Sequence, residues 1–286
     1  MKLMTAYQQH ISLDSFYQQG YQTLTLCHPF LSVRAIDPLS LEKIQELLEY
    51  KEIDFYLKIN RFFFEPELKE LKELLNDIKD LSLKGIIISD IGVFMMLKEL
   101  GYSKEIILET DTTLTSSADI NVYLEQGISG VVVARELTID EMIQIAHDIK
   151  GPTSINFFGH QLMSTSRRQL LEAYGEHEKL SFDKDKLYKM KEATRPNSSY
   201  LIMEDNYGTH VYHGSMLNGF NDIDRLEVFK YLIVDPLLMP DELLFDIGNM
   251  FRYGTISNEE LIKKYPTISF SRALWDIKTT DKKEKV

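Results

Sequence analysis

The chain has 286 residues, 44% of them hydrophobic and 27% charged, with a formal net charge of −12 and one cysteine. That length suits one large domain, and the acidity disfavours a surface coated for nucleic acid while allowing a local basic patch. A single thiol excludes internal disulfides, and no apolar run approaches the roughly 20 residues of a membrane helix, so a cytoplasmic protein is expected.

In chain order, Lys2 to Ala6 reads as a first strand. Ile11 to Gln19 is a helix that Ser12 caps and Gly20 ends. Gln22 to Cys27 is a second strand, and Ser40 to Glu49 a helix with Leu41, Ile44, Leu47 and Leu48 on one face. Ile53 to Ile59 is a third strand, ending in Asn60 and Arg61. Glu65 to Leu81 is a long amphipathic helix with Pro66 in its first turn. Gly85 to Ser89 is a fourth strand ending at Asp90, and Val93 to Leu100 the helix behind it. Ile106 to Leu108 is a fifth strand, followed by Glu109, Thr110, Asp111 and Thr112. Ser117 to Gln126 is a helix closed by Gly127.

The most informative stretch is Gly130-Val131-Val132-Val133-Ala134-Arg135-Glu136-Leu137-Thr138. An unbroken valine-rich run reads as a strand buried on both faces, the mark of a parallel sheet covered by helices. Arg135 and Glu136 follow at its carboxyl end, where α/β folds place their sites. Thr138 and Glu141 form a capping box for a helix from Ile139 to Ile149. Ser154 to Phe158 is a seventh strand.

The rhythm then breaks. Residues 160–197 are charged and weakly periodic. Tyr200 to Glu204 and His210 to Tyr212 read as strands joined by the turn Asp205-Asn206-Tyr207-Gly208. Asn221 or Asp222 caps an expected helix reaching about Lys230. Tyr231 to Val234 is an eighth strand ending at Asp235 and Pro236, and Pro240 to Met250 is helical. Lys278 to Val286 reads as a charged, disordered tail. Eight strands alternating with helices imply an α/β fold, a (β/α)8 TIM-like barrel over residues 1–277, with an insertion of about 160–215 after strand seven. No dinucleotide fingerprint or P-loop supports the rival, an open nucleotide-binding sheet.

The segments Lys58-Ile59-Asn60-Arg61, Gly85 to Val93, Ala134-Arg135-Glu136-Leu137-Thr138 and Asn156-Phe157-Phe158-Gly159 together resemble peptidase family U32, the collagenase-like proteases of bacteria. The resemblance spans roughly Asp54 to Asp205. It implies a barrel-like catalytic domain. It also implies either proteolysis or, as in several members, RNA hydroxylation that gives 5-hydroxyuridine at the tRNA wobble position, with prephenate-linked metabolism and an iron–sulfur cluster. Where cluster-binding members carry cysteines after strand seven, this chain has Leu162 and Gln169. No four-thiolate cluster is therefore expected in this chain alone. It resembles a short, cysteine-free branch thought to act beside a larger cysteine-bearing paralogue.

The candidate catalytic residues are Arg135, Glu136, Asn60, Asp90 and His160. Thr110, Asp111, Arg167, Arg168, Glu204 and Asp205 are candidates for substrate binding. Arg135 offers a planar fork to an anion, with a small one such as prephenate in mind. Asp90 reads equally as a helix cap. From Arg167 to Arg195 the insertion is net positive, and Tyr174 and Tyr188 could stack on the bases of a tRNA partner. The alternative for that segment is a solvated helical face. No metal site is expected, since His210 and His213 lie three apart along a strand and face opposite ways. His177-Glu178 lacks the second histidine of a zincin, no Gly-x-Ser-x-Gly elbow occurs, and Cys27 reads as a packed thiol. Three functions stand open: tRNA hydroxylation factor, genuine peptidase, and non-catalytic scaffold.

Overall fold

A computed structural model describes residues 1–193 and 195–278, without the side chains of residues 192 and 195–198. The expected tail therefore lies, beyond Lys278, outside the described residues.

Eight parallel strands close into a barrel: β1 (Lys2–Ala6), β2 (Thr23–Cys27), β3 (Asp54–Ile59), β4 (Gly85–Ile88), β5 (Glu105–Glu109), β6 (Gly130–Val132), β7 (Thr153–Ser166) and, later in the chain, β11 (Tyr231–Val234). Strand β11 pairs with both β7 and β1, which closes the ring and removes its edges. Helices α1 (Leu13–Gln18), α2 (Leu41–Leu47), α3 (Leu68–Ile78), α4 (Ile91–Glu99), α5 (Ser117–Gln126), α6 (Ile139–Asp148) and α8 (Asp241–Tyr253) cover the outside. Their starts are local. Ser12, Ser40, Asp90, Ser116 and Thr138 each accept a hydrogen bond from a first-turn amide. Helix α3 buries Leu71, Leu75 and Ile78 on one stripe, each contributing about 1.5–3 kcal/mol of apolar burial.

Along the strands, side chains alternate between this outer core and the lumen. The lumen holds Met4, Tyr56, Ile87, Ile107, Val132 and Tyr231 as a separate apolar plug. Beneath it the hydroxyls of Tyr56 and Tyr231 meet at 3.0 Å, and Tyr56 donates to Glu105 Oε2 at 2.6 Å. Above it, two residues further along β3 and β5, lie Lys58 and Glu109.

The largest departure from expectation is β7, which runs on from Phe158 to Ser166 instead of ending there. At Gly159 the backbone enters φ +115°, and a Cβ would lie 2.4 Å from the Asp235 carbonyl oxygen, so only glycine passes. Beyond that point β7 leaves the barrel and pairs antiparallel with β10 (Gly208–Asn218). Strand β10 pairs with β9 (Arg195–Asp205), and β9 with β8 (Tyr188–Glu192). Helix α7 (Leu170–Glu178) precedes them. The insertion is thus a β-rich arm with its own core of Leu162, Leu201, Met203 and Tyr212. Antiparallel pairing with β10, far along the chain, supplies the partner that the weak periodicity of residues 160–197 concealed.

Three smaller expectations also need correction. The valine-rich strand β6 stops at Val132, so Val133 and Ala134 already belong to the loop that carries Arg135 and Glu136. The helix expected from Asn221 or Asp222 to Lys230 is a 3-10 turn, Phe220–Arg225. Asp222 does not cap it; its buried carboxylate accepts from Arg225 at 3.2 Å and from Arg272. Helix α9 (Asn258–Lys264), followed by β12 (Phe270–Ser271), was not anticipated, although Ser257 and Glu260 carry the capping-box signature.

Candidate functional site

Lys58, Glu109, Asp111 and Arg135 meet at the carboxyl ends of β3, β5 and β6. Each of these strands is buried on both faces, so a charge in its pattern that points inward must enter the lumen. Lys58 Nζ lies 2.7 Å from Glu109 Oε2. Arg135 Nη2 lies 2.5 Å from Asp111 Oδ1 and 3.6 Å from Glu109 Oε1. Arg34, from the loop after β2, reaches Asp111 Oδ2 at 3.2 Å. The Arg34, Arg135 and Asp111 side chains are 12%, 9% and 16% exposed, dry enough for their charges to matter. Burial works against the Asp111 carboxylate, but Arg135 and Arg34 overcome it and hold the group down at about 2. Burial likewise opposes charge on Arg34, yet Asp111 keeps that guanidinium above its ordinary value.

These side chains line a cavity of about 80 Å3, together with Thr25, Cys27, Asn60, Asn156, Tyr212 and Asp235. Arg135 Nε and the Tyr212 hydroxyl are buried there without a hydrogen-bond partner. Unsatisfied buried donors are costly, and at a cavity wall they point to a polar ligand or water. A wider groove of about 600 Å3 between the arm and the loop after β2 shares Arg34, Ile36, Pro236 and Leu237 with the cavity. It is the approach from solvent.

The sequence-derived candidates separate here. Arg135, Asp111 and Asn60 converge on the cavity. The Asn60 amide, however, is occupied by the chain: it accepts from Val33 N at 2.9 Å and donates to Val33 O at 3.2 Å, pinning the loop that carries Arg34. Glu136 is exposed beside Arg135 and joins no ion pair among the described residues. Asp90 caps α4 through Gly92 N at 2.7 Å. Thr110 accepts from the Thr113 hydroxyl at 2.7 Å.

His160 is not at a strand end but inside β7, buried, with Nδ1 donating to the His213 carbonyl at 2.9 Å. Burial lowers its pKa, so it is neutral near pH 7. Glu204 accepts from the amides of Leu171 and Glu172 and from the Thr209 hydroxyl, anchoring the start of α7. Asp205 sits at the arm's hairpin turn, against the loop that carries Arg34. Arg167 lies over the exposed Phe64 ring, 3.6 Å from its centroid, while Arg168 is exposed. Tyr174 is 53% exposed, whereas the Tyr188 hydroxyl accepts from the Asp183 amide at 2.7 Å.

Lys58, Glu109, Arg34, Tyr212 and Asp235 were not among the candidate site residues, although Lys58 stands in a family segment and Glu109 and Asp235 were read at strand ends. A signal existed for two of them: Lys58 interrupts an apolar run in phase with Tyr56, and Glu109 follows Ile107 in the same phase. Arg34, in a loop, carried none. Arg61, read at the end of the third strand without a role, is 3% exposed in its side chain and stacked on Phe30, Phe63 and Tyr207.

The donors present do not fit a four-thiolate iron–sulfur cluster, since Cys27 is the only cysteine. Its buried thiol is pushed up by desolvation and has the Ser32 hydroxyl beside it. Among the described residues no three His, Cys, Asp or Glu side chains group as a metal site. No helix there is long and apolar enough to cross a membrane.

The family model "Peptidase family U32" matches residues 9–234. The tRNA hydroxylation protein P2 of Bacillus subtilis is 24% identical over 220 residues, 73% of this chain and 70% of that protein. The tRNA hydroxylation protein P of Helicobacter pylori strain J99 is 25% identical over 67% of this chain, which spans only 48% of that longer relative. A collagenase of Porphyromonas gingivalis is 26% identical over 42% of this chain and 30% of its own length. The solved U32 peptidase Mk0906 superposes with a TM-score of 0.48 at 10% identity, covering 82% of this chain and 92% of that one.

Proposed function

The chain belongs to peptidase family U32, and on that premise we propose that it takes part in hydroxylation of the tRNA wobble uridine. The observation that carries this reading is the cavity at the barrel mouth, with its charged side chains. Arg135 Nε and the Tyr212 hydroxyl face it without partners, and Asp111 and Glu109 fix the Arg135 guanidinium. The relatives named as tRNA hydroxylation proteins support it. In this reading the chain is bacterial and cytoplasmic, and works beside a larger, cysteine-bearing member of the family.

The residues would contribute binding and electrostatics. A base in a folded RNA must leave its stack to reach a buried cavity. Arg135 would then stabilise negative charge on a bound oxygen with a group already oriented, at no cost of reorganisation. A small anion such as prephenate would find Lys58, Arg34 and Arg135 in the same wall. Arg167 and Arg168 on the arm would meet the RNA backbone.

A second reading, peptidase, is favoured by the collagenase among the relatives. Against it, the Cys27 thiol is buried and pushed up by desolvation, with the Ser32 hydroxyl beside it. The deciding experiment is mass spectrometry of tRNA nucleosides from a deletion strain carrying either the parent gene or Arg135→Ala. Loss of 5-hydroxyuridine that only the parent gene restores supports the proposal; an unchanged nucleoside profile in the deletion strain refutes it.

A further inference from the structure

We propose that the arm completes the cavity, with Asp205 as a positioning residue that holds Arg34 against Asp111. The inference rests on the barrel mouth being the working site. Arg34 has φ +56°, in the left-handed region that a non-glycine residue rarely adopts, and Asp111 has φ +65°. Such conformations persist only where the surroundings enforce them. For Arg34 the enforcement is visible on both sides. Asn60, from the barrel, clamps Val33 through both its amide and its carbonyl. Asp205, from the arm, accepts the Arg34 backbone N–H on Oδ2 at 3.0 Å.

Asp205 is itself held rigid. Its Oδ1 accepts from Tyr207 N at 2.8 Å, and His210 Nε2 lies 3.1 Å from Oδ2. The same turn docks through Tyr207, whose hydroxyl donates to the Pro29 carbonyl at 2.9 Å and whose ring lies 3.9 Å from the Arg61 guanidinium. Burial opposes the Asp205 charge, but these hydrogen bonds keep its carboxyl below the ordinary range. One continuous path therefore runs from the arm to the reacting end of the barrel: His210, Asp205, the Arg34 backbone, the Arg34 guanidinium, Asp111 and Arg135. Without Asp205 the Arg34 backbone would relax out of the left-handed region and swing its guanidinium into the groove.

The test is the reactivity of individual arginines in the full-length chain toward phenylglyoxal, read by peptide mass spectrometry. In the parent, Arg34 and Arg135 should be protected relative to the exposed Arg168. In Asp205→Ala, Arg34 alone should react about tenfold faster while Arg135 stays protected, as expected for a local opening rather than a global one. Asp205→Asn keeps one acceptor and should give an intermediate rate. Complemented strains should lose 5-hydroxyuridine in the same order, with Asp205→Ala matching Arg34→Ala. An Arg34 rate in Asp205→Ala within about twofold of the parent overturns the positioning role. Faster Arg34 modification with 5-hydroxyuridine unchanged sustains the positioning and instead removes the proposed site. If Arg34 and Arg135 rise together in Asp205→Ala, that variant has lost its fold, and Asp205→Asn decides by the same criterion.

Discussion

Replacing Asp111 by Asn should destabilise the protein through the two guanidiniums it leaves behind. Asn tolerates the left-handed backbone as Asp does, so the substitution removes charge with little change in shape. A carboxyl held at about 2 rather than 3.8 contributes about 2 kcal/mol at neutral pH, each pH unit being worth about 1.4 kcal/mol. Leaving buried partners uncompensated raises such losses to about 3–5 kcal/mol. Unfolding entropy of about 2.1 cal/mol/K per residue over 286 residues gives about 0.6 kcal/mol per degree. The expected fall in Tm is therefore about 3–8 °C, measured by calorimetry at pH 7. Because the folded pKa is depressed, this stability is fully present above pH about 4 and is lost as the pH falls toward 2. The gap between parent and variant should thus stay constant from pH 8 to about 5. Arg135→Met should also cost at least about 1 kcal/mol less in the Asp111→Asn background than in the parent. A Tm within about 1 °C of the parent at pH 7, or strict additivity of the two substitutions, would show that the pair is not coupled as the geometry implies.

Arg135→Ala should abolish 5-hydroxyuridine in tRNA while leaving RNA binding nearly intact, as gel-shift titration would reveal; retained modification would place the chemistry elsewhere. Arg167→Ala with Arg168→Ala should weaken tRNA binding and flatten its salt dependence, because each phosphate contact releases counterions. Binding equal to the parent at every salt concentration would show that the arm is a solvated face. Gly159→Ala should cost about 2 kcal/mol or more, from left-handed strain and the blocked approach to Asp235, and a thermal melt matching the parent would contradict that. Anaerobic reconstitution with iron and sulfide should leave the isolated chain colourless, whereas stoichiometric iron with cluster absorbance would refute the single-cysteine argument.

The barrel was legible because its signals are local. Caps such as Thr138 with Glu141 depend on residues three apart, and the apolar runs of β3, β4 and β6 report burial on both faces without naming a partner. Arg135 and Asp111 were legible as strand-end charges for the same reason. Asp90 and Asn60 were equally visible, yet their side chains proved to serve the chain, one a helix start and the other the Val33 loop. What the tertiary structure decided are contacts between distant segments. Strand β7 runs eight residues past the barrel because β10 lies beside it, and nothing within residues 159–166 encodes that partner. Arg34 enters the cavity because Asp205, 171 residues away, fixes its backbone. A sequence records the propensities of neighbours directly, but pairings across such separations exist only once closure of the barrel has brought the two segments together.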